Sequence, residues 1–484
     1  MPTWHGCVAR SARLPMRRRL YLWMRRGGRR CSMDIFLVTG SRRCDDHLML
    51  QVFYQVLLLL ALPFALANLL WRGFKDRRWW QGIPQRFGFV PPQPAGSIWL
   101  HAVSVGEVQA AAAIVKELRN HHPNTALLMT CGTPTGAERA KALFGDTVTV
   151  SFLPFDLLWC VRLFLRRARP QIGIILEKEI WPNLFRVCGD LGIPLVLASA
   201  AIGRQSIGRY RLLFRLFPRT LADGLTIAAQ TGGDAERFKE AGAPAEHVHV
   251  IGNIKFDLEL PANIAELGSR LRAQYGLGSR FVLVAGSTYE EEETVLLEAQ
   301  RQLKARGHDI MMVLAPRHPP RFEPVATRLA RDGVMFLRRS ESIGFLGASV
   351  PTYVDVLLLD RLGELLGFYA AADVAFVGGS LVKDVGGHNL IEPAALSVPS
   401  LTGPHFYNSS DISLALVEAG AVHIVRNVGQ LVAELDSLVG DTLERAHRGS
   451  IGQQFVARNG GTTRRLMQLI EPLIGPKASP STSR

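Results

Sequence analysis

Short apolar runs alternate with amphipathic stretches of helical length after Pro94, and this alternation limits the possible folds most strongly. The runs are apolar throughout rather than at every second position, which is typical of parallel strands covered by helices on both faces. Strands interleaved with helices predict right-handed βαβ units and an open, doubly wound sheet. The predicted strands are 98–101, 126–130, 148–153, 172–176, 195–198, 225–229, 281–285, 311–314, 354–359 and 374–377.

These strands are too many for one such sheet, and the polar stretch 258–279 with its prolines and glycines predicts a linker between two sheets. We therefore expect an α/β protein with two Rossmann-like domains, an N-terminal one over 71–257 and a C-terminal one over 280–475. Ligands of such sheets bind beyond the carboxyl ends of the strands, so the predicted site is the cleft between the domains. The Ser/Pro-rich tail 476–484 is predicted to be disordered.

An uncharged apolar segment, 48–70, precedes the alternating region. A helix of this length spans a hydrocarbon core of ~30 Å. An aromatic and basic collar follows it, formed by Trp71, Arg72, Lys75, Arg77, Arg78, Trp79 and Trp80. The positive-inside rule places this collar on the cytoplasmic side, although Arg42 and Arg43 flank the other end and weaken that argument. We predict a membrane anchor that spans the membrane or lies in its interface. The alternative is a buried helix of a soluble domain.

The charge of the chain is +14, from 56 Lys and Arg against 42 Asp and Glu. Such a surplus favours a polyanionic partner, which is nucleic acid, an anionic membrane or a phosphorylated substrate. Residues 1–48 hold eleven arginines and three aspartates, a surplus of +8. Two interpretations of 1–47 remain open: a real basic extension, or sequence upstream of a true start at Met49 or a nearby Met. Six cysteines are too sparse in a chain of this length for a disulfide scaffold, and the absence of a CxxC pair disfavours a structural zinc site.

Acidic residues follow two predicted strands of the first half. Glu107 opens a predicted helix, so it is either a carboxylate favoured by the helix dipole or a general base in the cleft. Glu177, Lys178 and Glu179 directly follow an apolar run, where charges indicate either a functional site or a solvated loop with a local ion pair. The local pattern leaves both alternatives open.

Two strand ends of the second half have the composition of phosphate-binding turns. Gly286, Ser287 and Thr288 stand at a strand-to-helix turn whose backbone N–H groups can bind a phosphate. The glutamates 290–293 that follow are interpreted as helix capping. Arg317 follows another strand, and its planar guanidinium matches the oxygens of a phosphate.

A third strand end carries Gly379 and Ser380, and the turn after it leads to Glu392, which can accept hydrogen bonds from ribose hydroxyls. Three such ends together predict a nucleotide-dependent transferase. No His and Asp cluster has metal-ligand spacing, so we expect no bound metal and no cofactor. Arg317, Lys255 and helix N-termini would instead stabilise the departing phosphate.

Ten motifs occur in a fixed order along residues 49–475. They are HAVSVGEVQAA (101–111), TPTGAERA (133–140), LPFD (153–156), EIWPN (179–183), GNIKFD (252–257), GST (286–288), APRHPPRF (315–322), LGEL (362–365), VGGSLV (377–382) and GGHNLIEPAA (386–395). Through them the sequence resembles the 3-deoxy-D-manno-octulosonic acid (Kdo) transferases, which are membrane-associated glycosyltransferases of the two-Rossmann-domain type called GT-B. The resemblance implies a GT-B fold with two domains facing an interdomain cleft, behind an N-terminal membrane-anchor helix.

The same resemblance implies an activity. Such enzymes move Kdo from CMP-Kdo to a lipid A precursor (lipid IVA) in lipopolysaccharide core biosynthesis, at the cytoplasmic side of the inner membrane. The implied partners are therefore CMP-Kdo, the lipid acceptor and inner membrane lipids, and not nucleic acid. The alternatives are a GT-B enzyme that uses a UDP-sugar, and a membrane-anchored binding protein that has lost turnover.

The resemblance also implies roles for residues. Glu107 matches the general base of an inverting displacement, and Glu177, Glu179 and Lys255 match positions that stabilise the transition state. Segments that hold CMP are matched by Pro316, Arg317, Leu362, Gly363, Glu364, Asn389, Leu390, Ile391 and Glu392. Strand-end residues complete the expected substrate-binding set, namely Ser104, Gly106, Gly286, Ser287, Gly379 and Ser380.

Four positions depart from the family's usual pattern. Lys178 separates the two glutamates of the acidic pair, Ser199 and Ala201 replace the family's usual Asn and Arg, and Tyr289 stands where His is common. Arginines alternate with apolar residues over 204–219. That composition suits a surface that meets lipid A phosphates, and the alternative is an ordinary amphipathic helix.

Overall fold

The computed structural model describes residues 25–26, 29–30, 42–177, 179, 181–216, 225–278, 280–341, 353–406 and 410–475. Lys178, the predicted tail 476–484 and most of the predicted extension 1–47 lie outside these residues. The chain divides into two units, Met1–Leu57 and Leu58–Arg484.

The first unit contains a short antiparallel pair, in which Arg25–Arg26 faces Arg29–Arg30, and the start of a helix at Arg42. That helix runs to Lys75, and its part Gln51–Lys75 is long and apolar enough to cross a membrane. Its apolar side chains are exposed, with Phe53 at 66% and Phe64 at 78%. The predicted anchor 48–70 is thus part of a longer helix, and the exposure of its side chains opposes the alternative of a buried helix.

The first sheet has seven parallel strands, β1 to β7, which are Ser97–His101, Leu127–Cys131, Thr149–Phe152, Pro170–Leu176, Leu195–Ala200, Leu225–Ala229 and Val248–Val250. Their order is β3-β2-β1-β4-β5-β6-β7. The direction of winding reverses between β1 and β4. In doubly wound sheets a ligand crevice opens at the carboxyl ends of the two strands that flank such a reversal.

Helices cover both faces of this sheet. They are Ile83–Arg86, Val105–His121, Pro134–Phe144, Leu158–Ala168, Pro182–Asp190, Ile207–Leu216 and Gly232–Ala241. Successive residues of β1 enter opposite cores, because Trp99 packs with Phe164 on one face while Ile98 and Leu100 pack with Ile114 on the other. The continuous apolar runs of the sequence therefore have the predicted cause, which is burial on both faces.

The second sheet also has seven parallel strands, β8 to β14, which are Phe281–Thr288, Ile310–Pro316, Phe336–Arg338, Val356–Leu358, Val374–Val377, Ser400–Thr402 and Val422–Ile424. Their order is β10-β11-β9-β8-β12-β13-β14, with the reversal between β8 and β12. The helices of this half are Ile264–Gln274, Glu290–Ala305, Phe322–Arg331, Leu365–Tyr369, Ile391–Ala395, Ser410–Glu418, Val428–Gly440, Thr442–Asn459 and Thr462–Ile470. Two parallel α/β domains confirm the predicted fold class.

Two segments lie elsewhere than predicted. The stretch 258–279, expected to be a linker, contains a helix whose Leu271 packs with Tyr275 and Phe368 in the core of the second domain. The last helix, expected in the second domain, places Leu466 and Ile470 in the core of the first. Apolar spacing shows that a helix is amphipathic, but it does not show which of two cores receives the apolar face.

The sequence also missed four strands, β7, β10, β13 and β14. Each has three residues, and all four lie at or next to an end of a sheet. Val250 at the end of β7 is 53% exposed. Such short strands lack the continuous apolar run on which the prediction depended.

The docking of the last helix on the first domain has a measurable consequence. Leu466 is fully buried, so Leu466→Ala should lower the free energy of unfolding by about 2–5 kcal/mol. Leu443 is 83% exposed on the preceding helix, and its replacement by Ala is the matched control. Denaturant unfolding together with hydrogen exchange should show the loss of protection in β1 and β4. Equal stability of the two variants would contradict this packing.

Candidate functional site

Glu107 lies in the first turn of helix Val105–His121, directly after β1. Its carboxylate accepts hydrogen bonds from the backbone N–H of Val103 at 2.7 Å and from the Ser104 hydroxyl at 3.0 Å. Ser104 is the N-cap of the helix, and Gly106 is exposed beside it. The pKa of Glu107 is raised to about 7, mainly by burial. The charges of Glu177 and Glu179 contribute to this rise, whereas the two hydrogen bonds oppose it. A carboxylate of this pKa is suited to accept a proton near neutral pH.

Glu177 stands at the carboxyl end of β4, the strand on the other side of the reversal. Its Oε1 lies 2.6 Å from the Lys255 Nζ, so the two side chains form an ion pair. Its backbone has φ +60°, a left-handed conformation that costs energy in a residue other than glycine. Such strain is typical of functional sites, where the surrounding structure holds a side chain in one direction.

Glu179, the second member of the acidic pair, is partly buried. Burial raises its pKa, and the charge of Glu177 raises it further. The predicted residues Glu107, Glu177, Glu179 and Lys255 thus form one electrostatic cluster at the switch point of the first sheet.

Three residues that the sequence did not indicate hold Lys255 in place. The Asn253 Oδ1 accepts a hydrogen bond from the Lys255 backbone N–H at 3.0 Å, and its Nδ2 donates to Gln230 Oε1 at 2.9 Å. Gln230 Nε2 in turn donates to the Ser199 carbonyl at 2.9 Å, and the Ser199 Oγ accepts from the Ile254 N–H at 3.2 Å. Ser199 also has a positive φ, +53°. The one available signal was position 199, where the family's usual Asn tolerates that conformation.

The glycine-rich turn of the second domain has a different role from the predicted one. The fully buried carboxylate of Glu292 accepts hydrogen bonds from the backbone N–H groups of Gly379, Ser380 and Leu381 at 2.7, 2.8 and 2.9 Å. The Ser380 hydroxyl is also fully buried and donates to the Val377 carbonyl. The N–H donors of Gly379 and Ser380 thus already bind Glu292, and the contact of these two residues with the substrate stays a prediction.

The turn at the end of β8 combines packing and exposure. A Cβ on Gly286 would lie 2.0 Å from the Tyr369 hydroxyl, so only glycine fits there. Ser287 has φ +57° and is partly exposed, which leaves it available to a ligand. The first helical turn after it contains Glu292, whose carboxylate accepts a hydrogen bond from the Tyr289 N–H at 3.0 Å. The acidic run therefore caps the helix as expected, with Tyr289 as the N-cap and Glu292 as the capping carboxylate.

Arg317 and Glu392 lie near each other in the second domain. Arg317 is exposed and follows the buried Pro316. Its backbone N–H donates a hydrogen bond to the Thr288 carbonyl. Burial raises the pKa of Glu392, while a hydrogen bond from Asn389 at 3.1 Å and the charges of Arg139 and Arg317 oppose the rise.

Leu390 and Ile391 belong to a hydrophobic core at 2% and 1% exposure. Their side chains therefore pack inside the domain, whereas Asn389 and Glu392 bring polar side chains to this segment, and its contact with CMP stays a prediction.

The segment Leu362 to Glu364 is only partly open to a ligand. Leu362 is 71% exposed and Gly363 adopts φ +88°, whereas the Glu364 carboxylate pairs with Arg339 at 2.6 Å. Among the described residues no group of three or more His, Cys, Asp or Glu is arranged to hold a metal ion.

Three aromatic side chains that were not among the predicted site residues line the same region. The Tyr289 and His388 rings stack at 5.9 Å with an interplanar angle of 7°, and His318 meets Tyr289 edge-on at 5.7 Å. The pKa of His388 is lowered to about 4, mainly by burial and also by the charges of Arg317 and His318. His388 is therefore neutral at physiological pH.

Comparison with known proteins agrees with this geometry. A family model described as 3-deoxy-D-manno-octulosonic-acid transferase (kdotransferase) matches residues 81–258. A 3-deoxy-D-manno-octulosonic acid transferase of Haemophilus influenzae is 34% identical over 432 residues, which are 88% of this chain and 99% of that protein. One from Bordetella pertussis is 34% identical over 422 residues, 84% of this chain and 96% of that protein. A glycosyltransferase structure from Rickettsia africae shares the fold, with 12% identity, a TM-score of 0.51, and coverage of 79% of this chain and 100% of that one.

The role of Glu292 can be tested by substitution. Glu292→Gln removes the charge and turns an amide donor toward backbone N–H groups, so we expect a loss of about 2–4 kcal/mol of stability. Glu291→Gln, at the neighbouring exposed position, is the control. Thermal and denaturant unfolding of both variants provide the measurement. A Glu292→Gln protein as stable as the control would show that the turn does not depend on this carboxylate.

Proposed function

The chain belongs to the Kdo transferase family, and from this premise we propose that it transfers Kdo from CMP-Kdo to the lipid A precursor lipid IVA. Membership makes the chain a glycosyltransferase. The observation that carries the finer proposal is Glu107, a partly buried carboxylate with a pKa of about 7 at the reversal of the first sheet.

The proposed reaction is an inverting displacement at the anomeric carbon of Kdo. Glu107 accepts the proton of the acceptor hydroxyl, and the hydroxyl oxygen forms the new bond to the anomeric carbon. The bond from that carbon to the phosphate oxygen breaks, and CMP leaves with the electron pair. The Val103 N–H and the Ser104 hydroxyl fix the Glu107 carboxylate for this step.

Lys255 is proposed to stabilise the negative charge that develops on the departing phosphate. Its ion pair with Glu177 and the hydrogen bonds around Asn253 support this role, because they hold the ammonium at one place without the need to reorganise during the reaction. The charges of Glu177 and Glu179 also contribute to the raised pKa of Glu107.

The donor is proposed to bind to the second domain. Arg317 would pair with the phosphate, and Glu392, held by Asn389, would accept hydrogen bonds from the ribose hydroxyls. Ser287 and Gly286 would lie beside the same nucleotide. The proposal includes no metal and no cofactor, because Arg317 and Lys255 supply the positive charge that phosphate departure requires.

The acceptor is proposed to arrive from the cytoplasmic side of the inner membrane. The exposed apolar helix ends in a collar where the Lys75 Nζ lies 3.9 Å from the Trp71 ring centre and the Arg72 guanidinium 4.8 Å from that of Trp79. Such pairs suit the headgroup layer, in which an aromatic ring and a cation are both stable.

The arginine-rich stretch 204–219 supports the same acceptor side. Arg204 and Arg211 are exposed, as is Leu212 at 58%, whereas Tyr210 packs edge-on against Phe238 at 6.0 Å. Residues 217–219 lie outside the described residues. The helix is therefore amphipathic, and we propose that its exposed face meets lipid phosphates.

Glu107→Gln tests the proposed base. We expect kcat to fall by about 10²–10⁴-fold with little change in the KM for CMP-Kdo, because the amide cannot accept the proton. Release of CMP from CMP-Kdo with lipid IVA is the measurement, and UDP-sugars are the comparison donors. Glu117→Gln on the same helix is the control. Unchanged transfer by the Glu107→Gln variant would exclude this mechanism.

The same base sets a pH dependence. The carboxylate must be deprotonated to act, so kcat/KM of the wild type should fall as the pH drops through about 7. The residual rate of the Glu107→Gln variant should lack this midpoint. A wild-type profile flat from pH 6 to 8 would contradict the assignment.

Asn253→Ala tests the placement of Lys255. A shift of about 1 Å in a positioned group can cost about 10²-fold in rate, so kcat should fall by that order. A displaced ammonium no longer offsets the charge of Glu177, so the acid limb of the profile should move to higher pH. Asn263→Ala is the control, since that exposed N-cap makes no side-chain capping bond. A fall in rate without any movement of the acid limb would limit Asn253 to a structural role.

A further inference from the structure

Arg139 is a cation that the proposed mechanism does not use. It lies on helix Pro134–Phe144 of the first domain, and its Nε is buried without a hydrogen-bond partner among the described residues. No hydrogen bond or ion pair joins its guanidinium to any other residue that the structure describes. A partly buried guanidinium without a hydrogen-bonded or ion-paired anion is unfavourable, which suggests that a ligand supplies these contacts.

The helix that carries Arg139 is packed against the turn that holds Glu107. A Cβ on Gly136 would lie 3.1 Å from the Val103 carbonyl oxygen, and the Thr133 hydroxyl donates to the same oxygen at 3.1 Å. Arg139 follows Gly136 by three positions, so the two share a face of the helix. The side of the helix that meets the Glu107 turn therefore also bears Arg139.

Arg139 also interacts across the cleft with the second domain. Its charge acts on Glu392, the carboxylate proposed to hold the donor ribose, as does the charge of Arg317. Two arginines, one from each domain, thus bring positive charge to the same carboxylate.

We propose that Arg139 binds the carboxylate of the donor sugar and thereby selects an anionic ulosonic acid over a neutral sugar. This inference rests on the proposed function. A CMP-activated ulosonic acid carries two anionic groups, the phosphate and a carboxylate bonded directly to the anomeric carbon. Arg317 lies on the nucleotide side and suits the phosphate. Arg139 shares the side of Glu107, which must reach the anomeric carbon, and therefore meets the carboxylate.

The test compares Arg139→Gln, Arg139→Lys and the control Arg162→Gln, an exposed arginine on another helix of the same domain. Steady-state CMP release gives the KM for CMP-Kdo, and calorimetry gives the Kd of CMP. We expect Arg139→Gln to raise the KM for CMP-Kdo at least tenfold and to leave the Kd of CMP within about twofold, since CMP lacks the carboxylate. Arg139→Lys should raise the KM for CMP-Kdo by less than Arg139→Gln does.

Two results would overturn the inference. Equal weakening of CMP and CMP-Kdo would assign Arg139 to the phosphate, and unchanged values for both would remove it from the donor site. Should Arg139→Gln not fold, the same two comparisons are made on Arg139→Lys, whose weaker geometric match should still raise the KM for CMP-Kdo alone. Failure of the proposed function is distinguishable, because the wild type would then release no CMP from CMP-Kdo in the presence of the acceptor.

Discussion

The burial of three neighbouring carboxylates at one edge of the first sheet is the constraint on which the site depends. Glu107, Glu177 and Glu179 lie where β1 and β4 diverge, and burial weakens the solvation that would otherwise separate their charges. One carboxylate is stabilised by the Lys255 ammonium, while the pKa of Glu107 rises toward neutrality. The fold that brings these groups together thus also produces a base that is active at physiological pH.

The second domain uses a buried carboxylate for the opposite purpose. Glu292 is fully buried, but backbone N–H groups from its own helix start and from the turn after β12 satisfy its oxygens. No such set of donors surrounds Glu107, which receives one backbone and one hydroxyl hydrogen bond. The number of donors decides whether a buried carboxylate stabilises a turn or stays reactive.

The sequence was informative where a signal is local. Apolar runs of four or more residues predicted ten strands of the two sheets, and a carboxylate at a strand end predicted the place of Glu107. It failed where the deciding contact is distant. Glu292 and Gly379, which form a hydrogen bond, are 87 residues apart in the sequence, and Gln230 and Ser199 are 31 residues apart. Neither contact can therefore be recognised from a local sequence pattern. The docking of Leu466 on the first domain is hidden for the same reason. The family resemblance supplied roles for residues, but it did not show which donors were already in use.

The pKa of Glu107 itself is the most direct measure of this account. Carboxyl carbon NMR of protein labelled at glutamate, with the Glu107 resonance assigned by its loss in Glu107→Gln, reports that titration without the complication of turnover. The account predicts a midpoint near pH 7 that falls when Glu177→Gln removes a neighbouring charge. A midpoint near the ordinary glutamate value of about 4.3, unchanged by Glu177→Gln, would contradict the claim that the carboxylate cluster prepares this base.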